Sequence, residues 1–360
     1  MQHAINISTR GLGLTCPNPS VGCVIVNDNI IVGRGITGKG GRPHAESVAL
    51  EMAGKNAKGS TVYVTLEPCD HYGLTPPCSD ALILAGVKKV VIATLDPDKR
   101  VLGKGISKLE NAGIEVISGI LEKEALEVNE GYFKNTKQQI PFITLKLAVS
   151  TDRKSATKIS NSKWITSQGA RDHSHMLRAR NDAIVTSSVT ANKDNPSLTC
   201  RLPGMIDYSP IRILLDAFRK VPNNLDLFKN ARDIPLWIFT SVPFDEEINQ
   251  TSIKMGAKII NVKNDKLGYG VDLIEVFQFL SKSGITRVLV ESGGKLSSAL
   301  LLEKLVDKIV IYRAPSLIGG DGLSCIDTIN VENIFDSVKL ELTKLEQFDN
   351  NIIETYRVLK

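Results

Sequence analysis

Short apolar runs of strand length alternate with helical patterns along almost the whole chain, and this alternation constrains the fold more than any other feature. Strands separated by helices imply a central sheet covered on both faces. The first series predicts strands over 22–26 and 30–35, forming a hairpin around Asn27-Asp28-Asn29, then a helix over 44–53 and a strand over 61–65. It continues with a helix over 78–85, a strand over 89–93, a helix over 106–112, a strand over 114–117 and a helix over 122–132. The polar stretch Lys134-Asn135-Thr136-Lys137-Gln138-Gln139, followed by Pro141, interrupts the pattern. A second series then places strands over 142–149, 182–186, 211–215, 236–240, 258–262, 287–290 and 308–312, with helices over 167–179, 245–255, 273–283 and 295–302. At 360 residues the chain is too long for one ordinary core. The expectation is a two-domain α/β protein divided into residues 1–138 and 139–360.

Composition narrows the class. The chain is 42% hydrophobic and 23% charged, which is globular, and it has no apolar run of membrane-spanning length and no signal-peptide pattern after Met1. The net charge of +5 is dispersed, without a basic tail or arginine block. That argues against an extended nucleic-acid surface and suits anionic small molecules. The six cysteines are scattered, which reads as reduced thiols in a cytoplasm.

Four residues carry hydrolytic chemistry: His44 and Glu46 in Pro43-His44-Ala45-Glu46, Cys69 in Glu67-Pro68-Cys69, and Cys78 after Pro76-Pro77. One imidazole and two thiolates leave the fourth position of a tetrahedral zinc open to water, as a catalytic site requires. Glu46 is not counted as a ligand and is placed to shuttle protons between that water and a leaving amine. The prolines ahead of His44 and Cys78 mark helix starts, where the helix dipole favours a thiolate. The competing reading takes His71 as a fourth ligand and closes the site into a structural one, which leaves Glu46 without a role.

The stretch Cys69-Asp70-His71-Tyr72-Gly73-Leu74-Thr75-Pro76-Pro77-Cys78, with Pro17-Asn18-Pro19-Ser20-Val21-Gly22 upstream, resembles the cytidine-deaminase-like superfamily. More narrowly it is similar to the bifunctional deaminase/reductases of riboflavin biosynthesis, which carry this longer insert between the cysteines. The resemblance implies a three-layer α/β/α deaminase domain in which Asn18 and His71 contact a pyrimidine substrate, with Asp96 nearby. It places Met1 inside the family's first helix. Leu74 stands where the family has a basic residue, and Asp98 where it has Asn.

The second half has no Gly-x-Gly-x-x-Gly, so a Rossmann domain is not supported. Glu291-Ser292-Gly293-Gly294-Lys295 between a strand and a helix could be a phosphate-cradling turn or an ordinary strand–helix turn. The segments Leu145-Lys146-Leu147-Ala148, Lys163-Trp164-Ile165-Thr166-Ser167, Leu177-Arg178-Ala179, Thr186-Ser187-Ser188-Val189-Thr190 and Pro196-Ser197-Leu198-Thr199-Cys200-Arg201 follow in order. They resemble the reductase half of the same family, whose fold is that of dihydrofolate reductase. The resemblance implies NADPH against Ala148, Trp164, Thr190, Asp194 and the turn of Gly293, Gly294, Lys295, Leu296, Ser297, Ser298 and Ala299. It implies substrate contacts from Ser162, Arg178, Leu198, Arg201 and Glu291, the two arginines offering forks to a phosphate. Lys146 and Asp194 are the candidates for ring opening and proton delivery at the sugar carbon. Arg153 stands where a glycine is expected, Asn195 where a second Asp is, and Ala217 where a Ser is.

Together these expectations describe a zinc-dependent deamination of a phosphoribosylamino-diaminopyrimidinone, followed by NADPH reduction of the ribosyl chain to ribityl. The partners expected are small phosphoribosyl-pyrimidines, with no nucleic acid or membrane, in a cytoplasmic homo-oligomer. Three alternatives stand beside this reading: a nucleic-acid base deaminase with an accessory domain, a zinc-stabilised scaffold, and a family member with one active half. The 5% aromatic content gives the first of these little to stack bases on.

Overall fold

A computed structural model describes residues 1–73, 76–98, 101–159, 161, 165–243, 245–268 and 270–360. The chain forms two compact units, Met1–Ile140 and Pro141–Lys360. The stretch 134–139, which reads as a linker in sequence, runs almost entirely within the helix Glu130–Gln138.

In the first unit, five strands lie in the order Ile30–Ile36, Gly22–Asn27, Thr61–Leu66, Lys89–Thr94, Glu115–Ser118. The first three are antiparallel neighbours and the last three parallel ones. Cys23, Ile25, Val62, Val64, Val90 and Ile92 meet Ala45, Ala49, Ala53, Leu82 and Leu109 in one core. Ile5, Ala93, Ala125 and Val128 form a separate apolar cluster, and Ala4, Ile7 and Val24 another. Helices thus cover both faces of the sheet, giving three layers.

Glycine sets how closely the site helix lies. The strand Ile30–Ile36 carries Gly33 and Gly35 at alternate positions, so both project from one face. A Cβ on Gly35 would strike the Ala45 carbonyl, and one on Gly33 the Ala49 carbonyl. Their absence lets the helix Ala45–Ala53 lie directly on the strand, which fixes His44 and Glu46 at its start.

The second unit holds a nine-stranded sheet ordered Ala257–Asn261, Leu236–Thr240, Ile211–Leu215, Ala183–Ser187, Arg287–Glu291, Phe142–Val149, Lys308–Arg313, Asn351–Val358, Leu340–Phe348. Neighbours are parallel as far as Lys308–Arg313 and antiparallel beyond it. Buried Asp182 ties the central strands together, accepting from the Thr286 amide, the Thr286 hydroxyl and the Arg287 amide at 2.8, 2.8 and 2.9 Å. Arg287–Glu291 is thereby anchored at its first residue, and Glu291 stands at its far end. The helix Gln168–Ala179 begins at Ser167, whose hydroxyl accepts from the Ala170 amide at 3.3 Å.

Candidate active sites

His44 caps the helix Ala45–Ala53 from an extended backbone, and Cys78 is the first residue of Cys78–Leu84 behind Pro77. Cys69 follows the strand Thr61–Leu66. His44 Nδ1 lies 3.2 Å from Cys78 Sγ and 3.6 Å from Cys69 Sγ, and the Cys78 amide donates to Cys69 Sγ at 3.4 Å. The three donor atoms lie within 4.8 Å of one another, a span one tetrahedral ion can bridge. Two sulfurs and an imidazole are zinc-type donors, so these residues fit that metal. Among the described residues, His71 and Glu46 stand outside this ligand set. Three protein ligands would leave the fourth position of a tetrahedral ion to water.

The electrostatics follow from burial. A hydrogen bond from the Cys78 thiol, with help from His44, draws the Cys69 thiol down to about 4. The same hydrogen bond and burial push Cys78 upward. Glu46 is buried, and burial first, then the Cys69 charge, raises its carboxyl to about 7. A carboxyl poised there can both take and return a proton near neutrality.

Asn18 Nδ2 donates to the Gly40 carbonyl at 3.4 Å, and its amide fills the space a Cβ on Gly41 would need. His71 Nδ1 is buried without a hydrogen-bond partner, a polar group that a ligand could satisfy. Asp96 is also buried. Its Oδ1 accepts from the Asp98 amide at 2.9 Å and the Tyr132 hydroxyl at 3.0 Å. Beside it, Glu67 receives the amides of Asp96, Gly103 and Gly105. These two carboxyls organise the segment that follows Thr94. Leu74 lies outside the described residues.

In the second unit, Glu291 stands among cations. Arg178 donates to it through Nε at 2.7 Å and Nη2 at 3.0 Å, and Lys146 Nζ lies 3.5 Å away. Burial works against the charge on Glu291, yet Arg178 and Lys146 hold its carboxyl well below the usual range. Arg178 Nη1 donates to the Thr199 carbonyl at 2.9 Å. The Arg178 fork is therefore closed on Glu291 rather than open to a phosphate. Arg201 differs: it is exposed, and its Nη1 reaches Ser197 Oγ at 2.7 Å. Lys146 Nζ also lies 5.3 Å from the centre of the Tyr312 ring.

Thr190 and the Gly293 turn do come together. Thr190 Oγ1 accepts from the Gly293 amide at 3.2 Å and stands 3.1 Å from Ser292 Oγ, which donates to Ser187 Oγ at 2.9 Å. A Cβ on Gly293 would meet nothing closer than Thr190 Oγ1 at 3.9 Å, whereas one on Gly294 would press on the Ser324 carbonyl at 2.8 Å. Lys295 is exposed, Leu296 and Ala299 half-buried, and Ser297 and Ser298 buried at the start of Gly294–Leu302. Ser297 Oγ donates to the Gly293 carbonyl at 3.1 Å, and Ser298 Oγ is buried and unpaired. A bare glycine at a helix start with an unpaired hydroxyl behind it fits a phosphate-bearing cofactor such as NADPH.

Ala148 is half-buried beside Ala170, Val310 and Tyr312. Asp194 closes the short helix Ser188–Asp194 on its exposed side, four residues beyond Thr190. Ser162 and Trp164 lie outside the described residues. Leu198 is buried with φ +53, and Arg153 has φ +63, so both hold a conformation that favours glycine. Arg153 also donates to Glu354 at 3.0 Å. His175 and Tyr312 gather at this site although sequence reasoning passed over them, and Ser187 and Ser292, quoted there only within longer segments, join them. His175 had a legible signal, standing one helical turn before Arg178.

Comparisons with known proteins agree with both halves. Residues 1–94 match the family model of the cytidine and deoxycytidylate deaminase zinc-binding region, and residues 141–353 match that of the RibD C-terminal domain. The riboflavin biosynthesis protein RibD of Aquifex aeolicus is 40% identical, over 98% of this chain and 96% of that protein. The Escherichia coli protein of the same name is 38% identical, over 96% and 95%. The solved structure of Acinetobacter baumannii RibD (form 2) superposes with a TM-score of 0.88 at 37% identity, covering 99% of this chain and 97% of that one. A Thermotoga maritima diaminohydroxyphosphoribosylaminopyrimidine deaminase/5-amino-6-(5-phosphoribosylamino)uracil reductase does so at 0.87 and 32%, covering 100% and 97%. With a deaminase-type metal cluster in one unit, a RibD-type domain in the other and relatives alike from end to end, this chain belongs to the RibD family of riboflavin biosynthesis proteins.

Proposed function

We propose that this chain performs two consecutive steps toward riboflavin. Residues 1–138 deaminate 2,5-diamino-6-(5-phosphoribosylamino)pyrimidin-4-one, and residues 139–360 reduce the resulting ribosyl side chain to ribityl. The observation that carries the reading is the open cluster of His44, Cys69 and Cys78 with buried Glu46 beside it, in one chain with a glycine-started cofactor cradle.

Held by His44, Cys69 and Cys78, zinc would supply a water that loses its proton near neutral pH, and NADPH would supply a hydride to the sugar carbon. Glu46 takes the proton from that water and returns it to the departing ammonia. Asn18 and the unpaired Nδ1 of His71 orient the pyrimidine, with Asp96 shaping the wall behind. In the second unit Thr190 and the backbone from Gly293 to Ala299 hold the cofactor, aided by Ala148, Trp164 and Asp194. Leu198, Arg201 and Ser162 would meet the substrate, with the exposed Arg201 offering its guanidinium to the phosphate. Glu291 and Arg178 fix the position of Lys146, which assists ring opening together with Asp194. We further read the chain as a cytoplasmic homo-oligomer, and its dispersed charge supports the reading that it has no nucleic-acid partner.

The test is an assay on the phosphoribosylamino-diaminopyrimidinone that follows ammonia release and NADPH oxidation separately. Both signals are expected, in that order. Ammonia without NADPH consumption would overturn the bifunctional reading, and the absence of both signals would overturn the function.

A further inference from the structure

The segment from Ser197 to Arg201 is held by hydrogen bonds from several elements around it. Leu198 sits in the left-handed region at φ +53 although its side chain is buried, and such a residue persists where its surroundings impose it. The Ser197 carbonyl accepts from Arg212 Nη1 at 3.4 Å, and Ser197 Oγ lies 3.3 Å from Thr199 Oγ1. The Cys200 amide donates to Ser209 Oγ at 3.0 Å. His175, buried on the helix Gln168–Ala179, faces the middle of the segment: its Nδ1 is 3.1 Å from the Thr199 carbonyl and 3.3 Å from the Arg201 amide. Arg178, one turn on, donates to the same Thr199 carbonyl while gripping Glu291.

We propose that His175 is a positioning residue of the reductase site, one that presents Leu198 and Arg201 to the phosphoribosyl substrate through its single contact point between Thr199 and Arg201. It links the segment to the helix that carries Arg178, so one element sets both the substrate-facing loop and the Glu291–Lys146 group. A charged imidazole would stand against Arg178 and Arg201. Burial first, and those two cations next, hold His175 down to about 4, so it is neutral under working conditions. A neutral ring has one Nδ1 function at a time, donor to Thr199 or acceptor from Arg201. A side-chain amide carries both functions and can replace it; a methyl group cannot.

This inference rests on the reductase reading above. The experiment compares the unaltered chain with His175→Ala, His175→Asn and His175→Gln. It uses NADPH and the deaminated phosphoribosylamino-uracil, with calorimetric binding of that uracil to the cofactor-free chain alongside. His175→Ala should raise KM for the uracil and weaken its binding by about tenfold, leaving KM for NADPH within about twofold. The better of the two amide variants should recover most of the lost affinity. Equal changes in both KM values, or unchanged uracil binding in His175→Ala, would overturn the proposal. If all three variants fail to fold, chemical-shift mapping of uracil binding in the unaltered chain decides. A His175 ring signal unmoved by saturating uracil would overturn the proposal, and a shifted one would support it. Absence of NADPH oxidation in the unaltered chain would instead overturn the reductase reading.

Discussion

Glu46 and Asp96 are two buried carboxyls of the first unit, and their surroundings give them different work. Glu46 faces the sulfur of Cys69 at the start of a helix, and burial leaves it able to exchange a proton near pH 7. Glu46→Gln keeps the side chain's shape and all three ligands. Zinc content should therefore equal that of the unaltered chain while ammonia release falls about 10²–10⁴-fold. Metal analysis beside the ammonia assay checks this, and loss of zinc in the variant would remove Glu46 from its proton-transfer role. Asp96 is instead bound within its own unit by Asp98 and Tyr132, and burial raises its carboxyl from 3.8 to about 6. A raised carboxyl means the folded state binds the proton more tightly than the unfolded one. The stabilisation is complete below pH 3.8 and is lost as pH rises to about 6. Relative to Asp96→Asn, the unaltered chain should lose about 2–3 kcal/mol of stability over that window. Denaturant midpoints at pH 4 and pH 6.5 check it; parallel changes in the two proteins would contradict it.

The helix Ala45–Ala53 shows how an element carries a site. Gly33 and Gly35 let it lie on the strand Ile30–Ile36, and that contact sets the height of His44 above the two cysteines. Gly35→Ala should lift the helix against the Ala45 carbonyl. Ammonia release and zinc retention should fall by tenfold or more, while NADPH oxidation on deaminated substrate is retained; a chelator competition and the two assays measure this. Most of this architecture was legible, because strands buried on both faces and helices of nine residues or more leave strong patterns. The helix Gln2–Ser8 has no capping side chain or proline to mark its start, unlike Cys78–Leu84 behind Pro76-Pro77, and only the family resemblance announced it. The strand Leu340–Phe348 is exposed along most of its length at the sheet's edge, so no buried alternation marks it. The helix expected over 122–132 breaks at Asn129, whose side chain accepts from the Ser20 amide and donates to the Ser20 carbonyl. That break is dictated by a residue far away in sequence, and no local pattern announces it. In the sites, the metal ligands were legible because zinc demands particular residue types. The closure of Arg178 on Glu291 was not, since a guanidinium suits a carboxylate as well as a phosphate.

At the scale of the molecule, the residues proposed for each chemistry fall within one unit. His44, Glu46, Cys69 and Cys78 all lie in Met1–Ile140, while Lys146, Arg178, Thr190, Arg201, Glu291 and the Gly293 turn all lie in Pro141–Lys360. The family matches divide the same way, at 1–94 and 141–353. Zinc binding depends on deprotonated thiols of the first unit, so a chelator competes there. Stripping zinc should abolish ammonia release from the diaminopyrimidinone. It should leave NADPH oxidation nearly unchanged when the deaminated uracil is supplied directly. Re-addition of zinc should restore the first activity without altering the second. The informative failure is loss of both activities on chelation with the uracil present: the reductase would then depend on the metal-loaded state of the other unit. In that case the two steps would be coupled through the protein, not only through the intermediate they share.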